Sequence, residues 1–383
     1  MEPSTNNKPT IVYINLGFAD TDITVIKHLT KDFNVHWFVI LNKNYQYNEN
    51  FFRNYVKGTE ITLHLYPFSC RRREWKMFKL FRNCMKEIKN LHPKLIFTAI
   101  EDAYFSLNYL WYCRNIPYIM GIHDVQFHSN VKRSIAFKFS YWLNQRISDI
   151  CVQYSKNQFD LFKALYPKKN NYLVGMSVKD FGTPTVTPPS FNGIVKILFF
   201  GTICSYKGYE QLITNFEKLL SEGATTIQLS FYGKCKDEEV EDFFRNNIHH
   251  SEKYNLQLKY INNDDIPNIF VSHHFAIFPY KDATQSGPLM IAANYNIPVI
   301  APNHSCFKDI YTNEKNGIIY NAEDNNGLYL ALKEVSLMSK EKYSQMLNNC
   351  RILREQYSEE NIAQNYILLF KQIIENKGKS ITK

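Results

Sequence analysis

Two short segments hold residue types and spacings suited to gripping a phosphate. The first is G-T-I-C-S-Y-K-G, Gly201–Gly208, between a strand-like run and an amphipathic helical pattern. A glycine at a strand end lets the backbone turn tightly and approach a ligand. Lys207 at the loop's end supplies a compact positive charge. The same eight residues could also be a plain strand–helix connection with a solvated lysine. The second segment is F-P-Y-K-D-A-T-Q-S-G-P-L-M-I-A-A, Phe278–Ala293. Here Ser286, Gly287 and Pro288 open a predicted helix, with proline at a first-turn position that tolerates its missing N–H. The expectation is that the N–H groups of Gly287, Leu289 and Met290 and the Ser286 hydroxyl face outward as an anion site. An ordinary capped helix is the simpler alternative.

These segments need elements that bring them together. Strand-like and helix-like patterns alternate along all 383 residues, which predicts an α/β class with parallel sheets. The first-half strands are expected at 10–15, 35–40, 95–100, 117–122, 150–154 and 172–175. Helices are expected at 23–30 and 73–91. Phe181–Gly193 holds three prolines and reads as a linker. A second series follows, with strands at 196–200, 227–232, 258–260, 275–278 and 298–300 and a helix at 209–220. A chain of this length suits two domains: 1–180, then the linker 181–193, a second domain 194–352, and a C-terminal helix at 353–383. Both phosphate-type segments follow strands of the second series, where open α/β sheets bind ligands.

The series V-K-I-L-F-F-G-T, K-G-Y-E-Q-L-I, F-Y-G-K, I-P-N-I-F-V-S-H-H-F-A-I-F-P-Y, S-G, P-V-I-A-P and N-G-I-I-Y resembles the C-terminal domain of family 4 glycosyltransferases. It runs from about Val195 to Phe370. G-I-H-D (Gly121–Asp124) and I-S-D-I-C-V-Q-Y-S (Ile147–Ser155) resemble landmarks of that family's first domain. The resemblance implies the GT-B fold, two facing Rossmann-like domains, and transfer of a sugar from a nucleoside diphosphate sugar to a hydroxyl acceptor. It also implies retention at the anomeric carbon. It implies the final helix crossing back to the first domain. It implies acceptors of the lipid-linked or oligosaccharide kind, as in surface polysaccharide or glycolipid synthesis.

Residue by residue, Lys207 matches the family lysine on the donor diphosphate, with Gly201, Thr202, Tyr280, Ser286, Gly287 and Pro288 around it. Thr202 stands where the family usually has an arginine. Ala283 and Ile291 stand where it usually has two glutamates, and Asp282, one residue off, is the nearest substitute. The pattern P-Y-x-x-x-x-x-S-G is similar to a subset of the family that lacks those glutamates. His123 matches the family histidine beside the transferred sugar, and Asp124 would orient it or bind the acceptor; a strand-end cap pair is the alternative. His128 is a weaker candidate. Asp20-Thr21-Asp22 has the D-x-D form of a metal signature from another fold. It follows the first strand, so Asp22 reads as a helix N-cap, with Asp20 and Asp22 on the acceptor side. No metal and no cofactor are expected. Two rivals remain: a nucleotide-sugar epimerase of the same fold, and a non-catalytic nucleotide-binding or scaffold protein.

Bulk properties narrow the rest. Apolar residues make up 45% and charged residues 21%, as in a folded globular chain. Eight scattered cysteines without C-x-x-C spacing argue against a disulfide scaffold and against a zinc site. The N-terminus carries no apolar signal core and no run is long enough to span a bilayer, so a cytoplasmic protein is expected. The net charge of +9 favours polyanions, but no nucleic-acid motif is present. Arg71–Lys89 mixes cations with Trp75, Phe78, Phe81, Met85 and Ile88 at helical spacing. That segment is expected either to lie on an anionic membrane surface, peripherally, or to pack on the sheet with a solvated basic face.

Overall fold

The computed structural model describes residues 8–16, 23–43, 47–100, 102–125, 134–235, 238–281, 283 and 285–380. It divides into two compact units, Met1–Ser177 with Glu359–Lys383, and Val178–Ser358. The first unit therefore ends three residues before the expected 180, and the returning segment starts at Glu359 rather than 353. Residues 353–356 finish a helix of the second unit, Lys340–Gln356, capped by the Ser339 side chain. The proline-rich segment 181–193 has no helix or strand. It is tied into the second unit, with Phe181 N–H donating to Tyr295 Oη at 3.0 Å and Thr185 N–H to Asn268 Oδ1 at 2.7 Å.

Unit one holds seven strands: β1 (Thr10–Asn15), β2 (Asn34–Asn42), β3 (Thr62–Phe68), β4 (Leu95–Thr98), β5 (Tyr118–Ile122), β6 (Ile150–Gln153) and β7 (Asn171–Leu173). Their order is β3-β2-β1-β4-β5-β6-β7, and every pairing is parallel. β1, β4 and β5 are buried almost throughout, as strands covered on both faces must be. β3 was not expected from the sequence. It is an edge strand with a half-exposed pattern and contains Pro67, a residue that a sheet tolerates at its edge.

Unit two holds β8 (Val195–Phe200), β9 (Ile227–Tyr232), β10 (Tyr254–Gln257), β11 (Phe275–Ile277), β12 (Val299–Pro302) and β13 (Gly317–Tyr320), in the order β10-β9-β8-β11-β12-β13. The strand expected at 258–260 is displaced: β10 lies four residues earlier, and Tyr260 is exposed. Tyr254 supplies the apolar anchor, its ring 5.3 Å from Phe216 in the core. The helix Tyr209–Ser221 buries Leu212, Ile213, Phe216, Leu219 and Leu220, the face its 3.6-residue period marks. In both sheets the strand order reverses at one place, between β1 and β4 and between β8 and β11.

The basic segment resolves mostly as packing. The helix is Trp75–Asn90, so Arg71, Arg72 and Arg73 precede it, and Phe81, Met85 and Ile88 are buried with Met77 and Cys84. Arg72 reaches Asp102 at 3.4 Å. No helix among the described residues is long and apolar enough to cross a membrane.

Candidate functional site

The reversal point of the second sheet brings the two phosphate-type segments together. β8 and β11 lie side by side, Ile197 beside Phe275. The Gly201–Gly208 loop leaves the end of β8, and the Phe278–Pro288 loop leaves the end of β11. After β8, a 3-10 turn at Ser205–Lys207 leads into the helix that starts at Tyr209. Gly208 has φ +72, and a Cβ there would lie 2.0 Å from the Pro279 carbonyl oxygen. Only glycine lets the two loops touch backbone to backbone. Lys281 N–H donates to the Tyr206 carbonyl at 2.8 Å and secures the same contact.

Gly201 has φ +105. A Cβ built on it would lie 3.0 Å from Lys207 Nζ and 3.6 Å from Pro288 Cγ. The ammonium, the glycine and the helix start thus converge on one point. Gly233, from F-Y-G-K, backs the site, since its missing side chain clears the Gly201 carbonyl.

Lys207 is 7% exposed. Its Nζ lies 5.3 Å from the centroid of the Tyr280 ring. Among the described residues no carboxylate pairs with it, whereas the exposed Lys281 beside it reaches Glu210 at 3.7 Å. Burial pushes the Lys207 pKa down, opposed by the nearby Cys204 thiol. A buried ammonium without a counter-charge is costly, and an arriving anion removes that cost. Tyr280 forms the floor. Burial raises its hydroxyl's pKa, and Ser286 is the polar side chain beside that hydroxyl, which has no well-aligned hydrogen bond.

The helix Gly287–Asn294 begins as expected, but its donors do not all face outward. The Ser286 side chain accepts from Leu289 N–H at 3.3 Å, and the Ser286 carbonyl from Met290 N–H at 3.4 Å. Ser286 is buried as the N-cap. Of the expected donors, Gly287 N–H alone is unbonded among the described residues. Thr202 is exposed at the loop's start. Ala283 and Ile291 are both buried, and neither side chain carries a polar group. Asp282, Asp20, Asp22 and His128 lie outside the described residues.

One residue was missed. A Cβ on Gly287 would meet Lys179 Nζ at 3.4 Å. The chain from Val178 to Phe181 is stitched to this helix. Lys179 N–H donates to Met290 O at 3.3 Å, Asn294 Nδ2 to Asp180 Oδ1 at 3.1 Å. A second ammonium is thereby carried to the helix start from over a hundred residues away. No local spacing in the sequence signals it.

In unit one, His123 and Asp124 follow β5. The His123 ring stacks on Tyr154, centroids 4.5 Å apart at 17°. Gly121 permits this, since a Cβ there would lie 2.2 Å from the Tyr154 hydroxyl. The Tyr141 hydroxyl donates to the Asp124 carbonyl at 3.3 Å, and Val125 N–H to Gln158 Oε1 at 2.8 Å. This loop start is firmly held, with both side chains half-buried.

Residues 195–336 match the family described as Glycosyl transferases group 1. Solved structures match over nearly the whole length. Sucrose-phosphate synthase from Thermosynechococcus elongatus aligns at TM-score 0.69 and 12% identity, over 96% of this chain and 100% of that one. A glycosyltransferase from Rickettsia africae aligns at 0.73 and 15%, over 97% and 100%. Anabaena HepE in complex with UDP aligns at 0.70 and 11%, over 95% and 100%. The chain has the GT-B fold. No curated protein matches it in sequence. In this GT-B chain, the family match spans all six strands of the second sheet and both loops around Lys207.

Proposed function

We propose that this GT-B chain transfers a sugar from a nucleoside diphosphate sugar to a hydroxyl acceptor. The observation that carries the reading is the buried Lys207 ammonium beside Gly201 and Pro288, with no carboxylate paired to it among the described residues. A diphosphate accepts from Lys207, from Gly287 N–H and from Lys179, which takes the place of the absent arginine. The bond from the anomeric carbon to the diphosphate oxygen breaks, and its electron pair leaves with the diphosphate. The two lysines stabilise the charge that develops there, as preorganised donors do. The acceptor oxygen bonds to the anomeric carbon, and its proton passes to the departing diphosphate. No carboxylate is assigned as a covalent nucleophile, which fits retention through a front-face ion pair and does not call for a metal. His123 and Asp124 are the proposed groups on the sugar and acceptor. Anabaena HepE is described with UDP, and uridine is the base to test first.

The apolar burial of Ala283 and Ile291 favours one second reading, a domain that binds nucleotide without turnover. Thermal shift with UDP, GDP and ADP, followed by hydrolysis and transfer assays with the matching nucleotide sugars, tests both. A shift without product supports the second reading. No shift with any nucleotide overturns both.

A further inference from the structure

Away from the nucleotide loops, unit one carries a helix with an exposed apolar stripe. The helix Ile135–Ile147 starts at a Ser134 cap, whose side chain accepts from Phe137 N–H at 3.2 Å. Its inner side is mixed: Tyr141 joins the core, Phe137 and Ile147 pack against it, and Ser140 is buried among them. Asn144 is buried, donating to Ser140 O at 2.8 Å and accepting from the Tyr118 hydroxyl at 2.9 Å. Its outer side reads Ile135, Phe139, Trp142 and Arg146, spaced four, three and four residues apart, which is one helical face. Ile135 is 86% exposed, Phe139 and Trp142 each 52%. The Phe139 and Trp142 rings are 5.9 Å apart, and the Arg146 guanidinium lies 5.8 Å over Trp142. A face that met only water should be polar.

The stripe ends in a cavity of about 430 Å³, whose lining includes Trp142, Arg146, Phe162, Tyr166, Lys168 and Lys169. Gln145 also lines it, and its buried side-chain NH2 has no hydrogen-bond partner among the described residues. Three cations and an unsatisfied donor around aromatic walls form a receptor for an anion with an apolar neighbour. The nearby carboxylate, Asp149, already accepts from Tyr118 N–H at 2.7 Å. The Lys169 ammonium donates to the Ser148 carbonyl, and its pKa is lowered by burial.

We infer that this face docks on an anionic phospholipid bilayer, with a lipid phosphate in the cavity and Ile135, Phe139 and Trp142 in the interfacial layer. A free phosphate would satisfy the cations but would leave the stripe unexplained; from Ile135 to Arg146 it runs roughly 16 Å. A second copy of the chain would cover the apolar residues but bring its own cations, and the net charge of +9 opposes that pairing. Aromatic residues and cations together fit the headgroup level of a bilayer. This surface lies on a different helix from the basic segment Arg71–Lys89, whose apolar side is core. The inference does not depend on sugar transfer, and nucleotide binding by unit two stays as in wild type throughout.

The test is co-sedimentation of the full chain with phosphatidylcholine vesicles, with and without phosphatidylglycerol. Binding is expected only with phosphatidylglycerol and weakens as salt rises. Arg146→Gln and Lys168→Gln should each reduce partitioning roughly fivefold. Phe139→Ser with Trp142→Ser should abolish it, with circular dichroism and nucleotide binding unchanged. Arg71→Glu with Arg73→Glu should leave it in place. Undiminished sedimentation of the Phe139/Trp142 variant overturns the inference. So does inorganic phosphate raising the Tm through Arg146 and Lys168 without any vesicle binding. Stripe-dependent dimerisation without vesicle binding overturns it as well.

Discussion

Replacing Lys207 with methionine separates a binding lysine from a structural one, because the two roles predict opposite changes in stability. The side chain is 7% exposed and has no counter-charge among the described residues. Methionine keeps much of the volume over Tyr280 and removes the ammonium. One charged contact to phosphate contributes about 1.5–3 kcal/mol, so the Kd for the preferred nucleoside diphosphate should rise roughly 10- to 150-fold. The low-dielectric setting favours the upper end. Stability should move the other way. The folded-state pKa is lowered from 10.5 by burial, so the unfolded chain binds the proton more tightly than the folded one. The charge therefore opposes folding below the folded pKa, and stability rises as pH climbs from that value toward 10.5. At neutral pH the methionine variant, free of nucleotide, should melt at a higher temperature than wild type. In wild type, nucleotide affinity should fall as pH rises through the lowered pKa, earlier than an ordinary lysine allows. Calorimetry of binding and of unfolding across pH measures all three. Unchanged affinity puts the diphosphate elsewhere. A fall in Tm refutes the argument that the ammonium is uncompensated.

Further outcomes follow from the same geometry. Lys179→Ala should weaken diphosphate binding roughly threefold to tenfold, and Thr202→Arg in that background should recover part of it; calorimetry with unchanged affinity removes Lys179 from the site. Gly121→Ala should destabilise the chain by about 1–3 kcal/mol, because the new methyl meets the Tyr154 hydroxyl; Tyr154→Phe in the same chain should restore part of the loss in urea denaturation. Sugar transfer should persist in EDTA, since lysines and a backbone N–H are assigned to the leaving group. Loss of activity that Mn²⁺ restores would contradict that assignment.

Much of this architecture is written locally, because buried parallel strands are short apolar runs and their helices carry a period that burial demands. β1, β9 and the helix from Tyr209 could be read residue by residue from the sequence. So could the tight turn at Gly201 and the helix start at Ser286, since each uses a residue type that its own backbone position favours. The edge strands β3 and β10 could not, because an edge needs only half a pattern and tolerates Pro67, Asn255 and Gln257. The donors at the helix start were misjudged because a serine cap consumes the N–H groups it organises. Only the tertiary structure decided that the β8 and β11 loops meet, that Lys207 is buried with no carboxylate paired to it among the described residues, and that Lys179 arrives beside Gly287. It also decided which apolar stripe is core, the one at Phe81, and which is surface, the one at Trp142. Both have helical spacing, and spacing fixes a face without saying what that face meets. That depends on which side of the helix the sheet covers, a property of chain topology that no window of neighbouring residues contains.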